Sequence, residues 1–227
     1  MRQPKISLIV ASLAIVGCVA SLKAAEPAGT PGTESAPARA ADVCPVKVGS
    51  PLPNVALTAA DGKAFDLNAA VAKKPTVLVF YRGGWCPYCN TQLSQLRKVE
   101  ADLIKLGYQL LAISADRPEE LGKSAQKNEL KYTLLSDSKM TASQALGIAF
   151  RVDDETYVKY KGYGLDLEKA SGEKHHLLPV PAVFVIGTDG KIHFTYVNPD
   201  YSTRLSSDVL LAAAKAALPA PTAKPSK

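Results

Sequence analysis

The stretch "TVLVFYRGGWCPYCNTQL", residues 76–93, decides the fold. Its first six residues are a continuous apolar, β-branched run, as expected of a strand buried on both faces. Two cysteines, Cys86 and Cys89, follow two residues apart, with Trp85 before them and Pro87 between. Beyond them Leu93, Leu96, Val99, Leu103 and Leu106 recur at spacings of three and four, which is one face of a helix. The cysteines therefore fall where a buried strand ends and a long helix begins.

The same alternation continues downstream. "YQLLAIS" (108–114) reads as a second buried strand, and "RPEELGKSAQKNEL" as a helix with Pro118 in its first turn, where a missing N–H costs little. "YTLLSD" and "ASQALGIAF" give a further strand and a short helix. "AVFVIGTDGKIHFTYV" (182–197) reads as a β-hairpin turned at Asp-Gly, and "SSDVLLAAAKAAL" as a closing helix capped by Ser206 or Ser207. Upstream, "NVALTAADGKAFDL" reads as an additional hairpin with its own Asp-Gly turn. The fold class is α/β, a central mixed sheet flanked by helices. It carries an N-terminal β-hairpin extension and a polar insertion, residues 151–176, before the last hairpin. That insertion reads either as a lid or as two short surface helices whose tyrosines pack on the sheet edge.

The chain has 227 residues, 47% hydrophobic and 21% charged, the balance of an ordinary globular protein. Of its net charge of +6, half comes from Arg2, Lys5 and Lys23, and no run of five basic residues occurs elsewhere. Nothing points to nucleic acid. "MRQPK" followed by 17 uncharged residues, "ISLIVASLAIVGCVASL", reads as a signal peptide over 1–22. Ile15-Val16-Gly17-Cys18 resembles a bacterial lipobox, which would make Cys18 a lipidated anchor; ordinary cleavage nearby is the alternative. The protein is expected to be exported, in the periplasm or held to a membrane facing it. Residues 23–43, rich in Ala, Pro, Gly, Thr and Ser, read as a disordered linker, and 219–227 as a frayed tail. The domain is expected over 44–218.

A helix N-terminus offers unpaired N–H groups and about half a positive charge, both of which favour a thiolate. At that place the more exposed of the two sulfurs is expected to ionise near neutrality, with Arg82 adding a positive field. A zinc site needs about four ligands. Cys18, Cys44, His193 and the pair His175-His176 provide no second ligand pair of finger spacing. A structural disulfide across two residues constrains the unfolded chain little. The residues favour a redox dithiol that closes an intramolecular Cys86–Cys89 disulfide, and a pair deep in an apolar interior would count against it. Cys44 reads as a small apolar residue or a resolving thiol, His175 and His176 as solvated loop residues, and Asp137 and Asp200 as loop or cap residues.

"WCPYC" at a strand-to-helix junction, with "VPAVFVI" some 95 residues later, resembles the thioredoxin superfamily. Over 47–216 the chain is similar to the peroxiredoxin-like branch of the alkyl hydroperoxide reductase/thiol-specific antioxidant (AhpC/TSA) family. The segments that carry this are "VGSPLPNVALTAADGKAFDL", "VLVFYRGGWCPYC", "AISADRPEEL", "LLSD" and "DGKIHFTYVNPDYSTR". The resemblance implies a thioredoxin-like fold and a thiol peroxidase acting on hydroperoxides. It implies no metal or organic cofactor and a thioredoxin-like protein as reductant. It also implies a cis Pro181 packed against the dithiol. The family's Pro-x-x-x-Thr-x-x-Cys motif places the attacking sulfur at Cys89, with Arg82 for the Pro and Cys86 for the Thr. Thioredoxins attack with the first cysteine, here Cys86. The family's arginine near the later hairpin is replaced by Pro181, leaving Arg82 and Arg204 to supply its charge. An extracytoplasmic reductase of protein disulfides is the second function class, and a silent binding module the third.

Overall fold

The computed structural model describes residues 36–218. Residues 1–35 and 219–227, on which the expected signal peptide, Cys18, most of the expected linker and the expected tail fall, lie outside the described residues. Among the described residues no helix is long and apolar enough to cross a membrane.

The seven-stranded sheet is built on strand β3 (Thr76–Tyr81). β4 (Gln109–Ser114) pairs with it in parallel and β5 (Thr133–Ser136) follows, again in parallel. On the other side, β8 (Ala182–Ile186) pairs antiparallel with β3, and β9 (Ile192–Val197) completes the hairpin at Asp189-Gly190. The N-terminal hairpin, β1 (Ala56–Ala59) and β2 (Ala64–Asp66), extends the opposite edge through an antiparallel β1–β5 pair. The strand order is β2-β1-β5-β4-β3-β8-β9.

Every residue of β3 is buried because the sheet is covered on both faces. Side chains alternate across a strand, so Val77, Val79 and Tyr81 join one core cluster while Leu78 and Phe80 join the other. The first cluster is closed by helices α2 (Pro87–Lys105), α3 (Pro118–Lys127) and α7 (Ser207–Ala216), through Leu93, Leu96, Leu103, Leu121 and Leu210. The second is closed by α1 (Leu67–Lys73) and α4 (Thr141–Ala145), through Leu67, Val71 and Ala142. The result is three layers, with the sheet between two layers of helices. Each fully buried leucine in them stabilises the fold by roughly 1.5–3 kcal/mol.

The sequence signs for caps hold in detail. Ser206 caps α7, its hydroxyl accepting the Val209 N–H, and Pro118 sits at the start of α3. Asp137 is buried and caps α4, accepting N–H bonds from Ala142 and Ser143. Asp200 organises the turn before α7 by accepting from Ser202 and Thr203.

Three features differ from the sequence reading. Helix α1 was not anticipated; its apolar face is two residues, Leu67 and Val71, too few to show a period. Residues 36–43, expected as linker, contact the body: the Pro37 carbonyl accepts the Arg151 N–H, and Ala40 and Val43 pack on the second cluster. Small alanine and valine contacts of this kind leave no periodic signal. The polar insertion contains the two short helices expected, α5 (Asp154–Gly162) and α6 (Leu167–Ser171). It is bracketed by a two-stranded sheet, β6 (Ala149–Arg151) with β7 (Leu177–Pro179). Tyr157 and Tyr160 pack on a third cluster around Met140, Val152 and Leu178, whereas Tyr163 is exposed. His175 and His176 are half-buried rather than freely solvated: a ring nitrogen of His175 bonds the Ser138 carbonyl at 2.7 Å, and His176 stacks on Tyr157 at 3.9 Å.

Candidate active site

The site begins where β3 stops. After Tyr81 the chain runs through Arg82, Gly83, Gly84 and Trp85 and enters α2 at Cys86, which is the N-cap residue. Pro87 occupies the first helical turn, where its missing N–H leaves no bond unmet. The loop is tied down on both sides. Gly84 N–H donates to Asp116 Oδ2 at 2.7 Å, Asn90 Nδ2 donates to the Gly84 carbonyl at 2.9 Å, and Cys86 N–H donates to the Gly83 carbonyl at 3.1 Å.

The paired glycines permit this close seat. A Cβ on Gly84 would lie 1.8 Å from Ser124 Oγ, and one on Gly83 would lie 2.6 Å from Asp116 Oδ1. Gly84→Ala is therefore expected to lower stability by about 1–3 kcal/mol, since Ser124 must turn away or the loop must lift off Asp116. Urea melts check this. A Gly84→Ala/Ser124→Ala double variant should recover part of the loss, because the shortest contact is gone.

The two sulfurs are electrostatically unequal. Cys86 Sγ accepts the Cys89 N–H at 3.4 Å, as a capping side chain does. Hydrogen bonding from Cys89, side chain and backbone, together with the fields of Arg82 and Arg204, pulls the Cys86 thiol down to about 6 against the opposing effect of burial. Burial, followed by the neighbouring Cys86, holds the Cys89 thiol well above its ordinary value. The pair thus gives up its first proton easily and its second with difficulty.

Of the two arginines expected to supply charge, Arg204 touches a sulfur and Arg82 lies among aromatic rings. Arg204 Nη2 donates to Cys89 Sγ at 3.3 Å, and its Nη1 donates to Gln92 Oε1 at 3.0 Å. The Tyr201 carbonyl accepts from the same guanidinium at 2.6 and 2.9 Å, fixing its direction. Arg82 is buried, and its Nη2 donates to the Tyr160 hydroxyl at 2.6 Å. The rings of Tyr201, Trp85 and Tyr160 surround it at 4.4, 5.1 and 5.6 Å. Neither arginine forms an ion pair with a carboxylate among the described residues, so their charge is available to the sulfurs.

Two expectations need correction. Cys86 is 1% exposed and Cys89 0%, so neither sulfur lies open at the helix mouth. The surroundings are nonetheless not purely apolar, since Arg204 touches one sulfur directly. Acidity here comes from the Cys89 thiol and N–H group and from the guanidinium charges rather than from water, and a substrate reaches sulfur only when neighbouring side chains give way. The second correction concerns Pro181. No cis peptide bond occurs among the described residues, so Val180–Pro181 is trans. Pro181 lies on the wall of a cavity of ≈ 270 Å³ shared with Arg82, Tyr160 and Tyr201. Cys44 is exposed and forms no disulfide among the described residues.

Sequence reasoning missed Gln92, Tyr160, Tyr201 and Asp116. Gln92 had a signal: it lies one turn after Cys89 on the same helical face. Asp116, two positions after the buried run 108–114, is a carboxylate on the way into a helix. Tyr160 reaches Arg82 across 78 positions, and only folding brings them together.

A sequence profile of the AhpC/TSA family matches residues 48–195, a span that includes β3, both cysteines and most of the last hairpin. The chain belongs to the AhpC/TSA family. It is a peroxiredoxin-like protein of the thioredoxin superfamily. Among its relatives is peroxiredoxin Bcp of Escherichia coli, 29% identical over 167 residues, covering 74% of this chain and 94% of the relative. A chloroplastic peroxiredoxin Q of Gentiana triflora is 34% identical over 111 residues, covering 49% and 51%. In fold the chain is similar to peroxidoxin BcpB of Mycobacterium tuberculosis, with a TM-score of 0.57 at 22% identity, covering 75% of this chain and 97% of that one. A peroxiredoxin 6 variant of Arenicola marina gives 0.62 at 19% identity, covering 75% and 72%.

Proposed function

We propose that this member of the family is a thiol peroxidase that reduces hydroperoxides with Cys86 and Cys89 as a cycling dithiol. The observation that carries the reading is the unequal pair at the mouth of α2: one sulfur stabilised as thiolate, its neighbour kept protonated three positions on. The relatives named peroxiredoxin support the substrate class.

In the first step the Cys86 thiolate attacks the outer oxygen of the hydroperoxide. The O–O bond breaks, the alkoxide leaves with its electron pair and takes a proton, and Cys86 becomes a sulfenic acid. Next the Cys89 sulfur attacks Cys86 Sγ, the S–O bond breaks, and water departs as the disulfide forms. An outside dithiol, from a protein of thioredoxin type, then returns the pair to the reduced state by exchange. Arg82 and Arg204 stabilise the anionic sulfur and the negative charge that develops on the departing oxygen.

The pH dependence tests the assignment of the thiolate. Because the Cys86 thiol sits at about 6, its anion is half formed there and nearly complete by neutrality. Single-turnover peroxide consumption should rise with pH through about 6 and then level. A free thiol would continue to gain up to its ordinary value near 8.5. A profile that climbs only above pH 8 would sink the assignment. The sign for stability is the same. A depressed thiol stabilises the fold above its unfolded value, and that contribution is lost as pH falls toward 6.

A second reading is favoured by the Arg204–Cys89 contact at 3.3 Å. On that reading Cys89, the position matched by the family motif, attacks peroxide and Cys86 resolves.

A further inference from the structure

The hydrogen-bond donors of Arg82 are not used up by the chemistry above. The residue is 4% exposed, and its side chain makes one hydrogen bond among the described residues, from Nη2 to the Tyr160 hydroxyl. Its Nε is buried with no acceptor. The hydrogen bonds to the two sulfurs come from the Cys89 N–H and from Arg204, so Arg82 acts on them through its charge alone. A buried cation without a counter-ion is costly. The rings of Tyr201, Trp85 and Tyr160 offset part of that cost, but an aromatic face is a weak acceptor for an N–H group.

Arg82 also forms part of the wall of the ≈ 270 Å³ cavity on the Pro181 side of the site. Most of that wall is apolar: Phe150 of β6, Val152 after it, Pro181 ahead of β8, and Pro199 with Tyr201 from the turn before α7. Three other charged residues reach it. Arg39 is paired with Asp42 and Arg151 with Asp154, while the Asp153 carboxylate accepts the Thr156 N–H and hydroxyl at the start of α5. Among the described residues that line the cavity, Arg82 is therefore the one cation without a carboxylate. A single guanidinium suits a single negative charge, and Asp153 on the same wall disfavours a second. Guanidinium N–H groups match carboxylate oxygens, whereas a phosphate dianion needs more donors than an apolar wall offers. At about 30 Å³ per water-sized group, the cavity takes about nine non-hydrogen atoms, the size of a medium-chain acid such as hexanoate.

We propose that this cavity binds a small aliphatic monocarboxylic acid, with its carboxylate on Arg82 and its chain against Phe150, Val152 and Pro181. The binding itself does not depend on the peroxidase reading. It does bear on the dithiol, because the bound carboxylate neutralises a guanidinium whose charge favours the Cys86 thiolate. The acid thus acts as a brake on that sulfur, and the brake is released when the acid leaves.

The test titrates the intact chain with sodium hexanoate, hexanol and hexylammonium chloride at constant ionic strength. Trp85, the single tryptophan, reports by fluorescence, since its ring centre lies 5.1 Å from the Arg82 guanidinium carbon. Hexanoate is expected to saturate with a dissociation constant on the order of 1 mM, about tenfold or more tighter than the alcohol or the amine. Near pH 6 the ultraviolet absorbance of the Cys86 thiolate should fall as the site fills. Arg82→Met keeps the length and removes the cation, and it should weaken hexanoate about tenfold or more, to the level of hexanol. Should Arg82→Met fail to fold, a crystal structure of the unaltered chain with hexanoate decides, by whether the carboxylate lies within hydrogen-bond reach of Arg82. Equal binding of the three probes, no saturation at about ten times the expected concentration, or full binding by Arg82→Met overturns the proposal. A bound acid that leaves the thiolate unchanged also overturns it, since the carboxylate is then not on Arg82. Hexanoate binding to a chain that consumes no peroxide leaves this inference standing while the peroxidase reading falls. Normal peroxide turnover without hexanoate binding sinks this inference alone.

Discussion

Cys86→Ser is expected to lower peroxide turnover about 10³-fold or more, and Cys89→Ser to stop after one turnover with sulfenic acid on Cys86. The argument is chemical before it is structural. Only a thiolate attacks the O–O bond fast enough, and a serine hydroxyl is not ionised at any usable pH. The usual objection, that a site variant simply unfolds, is weak here. Cys86 is the N-cap of α2, and serine is a preferred N-cap residue, so the helix keeps or strengthens its first turn. Cys89→Ser buries a hydroxyl, yet Arg204 Nη2 already points at that position and supplies its hydrogen bond. Both variants should therefore melt near the unaltered chain. Mass spectrometry after one equivalent of peroxide checks the outcome. Sulfenic acid in the Cys89→Ser chain and none in Cys86→Ser supports attack by Cys86. The reverse pattern makes Cys89 the attacker, and the reading that relies on the helix cap is then wrong. If both variants retain full turnover with peroxide, the dithiol is not the reactive group.

Much of the frame that produces this contrast was legible in the sequence. The run 76–81 had to be a central strand because no polar residue interrupts it, and the leucines after Cys89 had to line a helix face. Together they fix the cysteines at a helix start. Periodicity reports which faces are buried, but it is silent on long-range partners. Arg204 and Cys89 are 115 positions apart, Arg82 and Tyr160 are 78 apart, and no local pattern links either pair. Burial of the sulfurs was misjudged for a related reason. A helix N-terminus is commonly open to solvent, but here the turn holding Tyr201 and Arg204 folds back over α2, and Tyr88 meets Tyr201 edge-on at 5.7 Å. Asp116 was overlooked because a single acidic residue after a strand reads as a solvated loop, while its burial and its bond to the Gly84 N–H depend on another loop.

Removing the guanidinium that touches sulfur should have the second-largest effect. Arg204→Met keeps length and apolar bulk but deletes the donors to Cys89 Sγ and Gln92 Oε1. A charge-assisted donor of this kind is worth about 1.5–3 kcal/mol. Peroxide reduction at neutral pH is therefore expected to fall about 10- to 100-fold. The same cation lowers the Cys86 thiol and opposes the rise of the Cys89 thiol, so the pH profile of the variant should shift to higher pH. Part of the lost rate should then return in alkaline buffer. The size of that recovery separates the two assignments of the attacking sulfur. If Cys86 attacks, its N–H cap and Arg82 remain, and raising the pH restores most of the thiolate and most of the rate. If Cys89 attacks, its direct donor is gone while its burial is unchanged, and alkaline pH restores little. A variant with unaltered rate and profile would mean that the Arg204 contact only anchors the turn before α7, and Arg82 alone would carry the positive field at the dithiol.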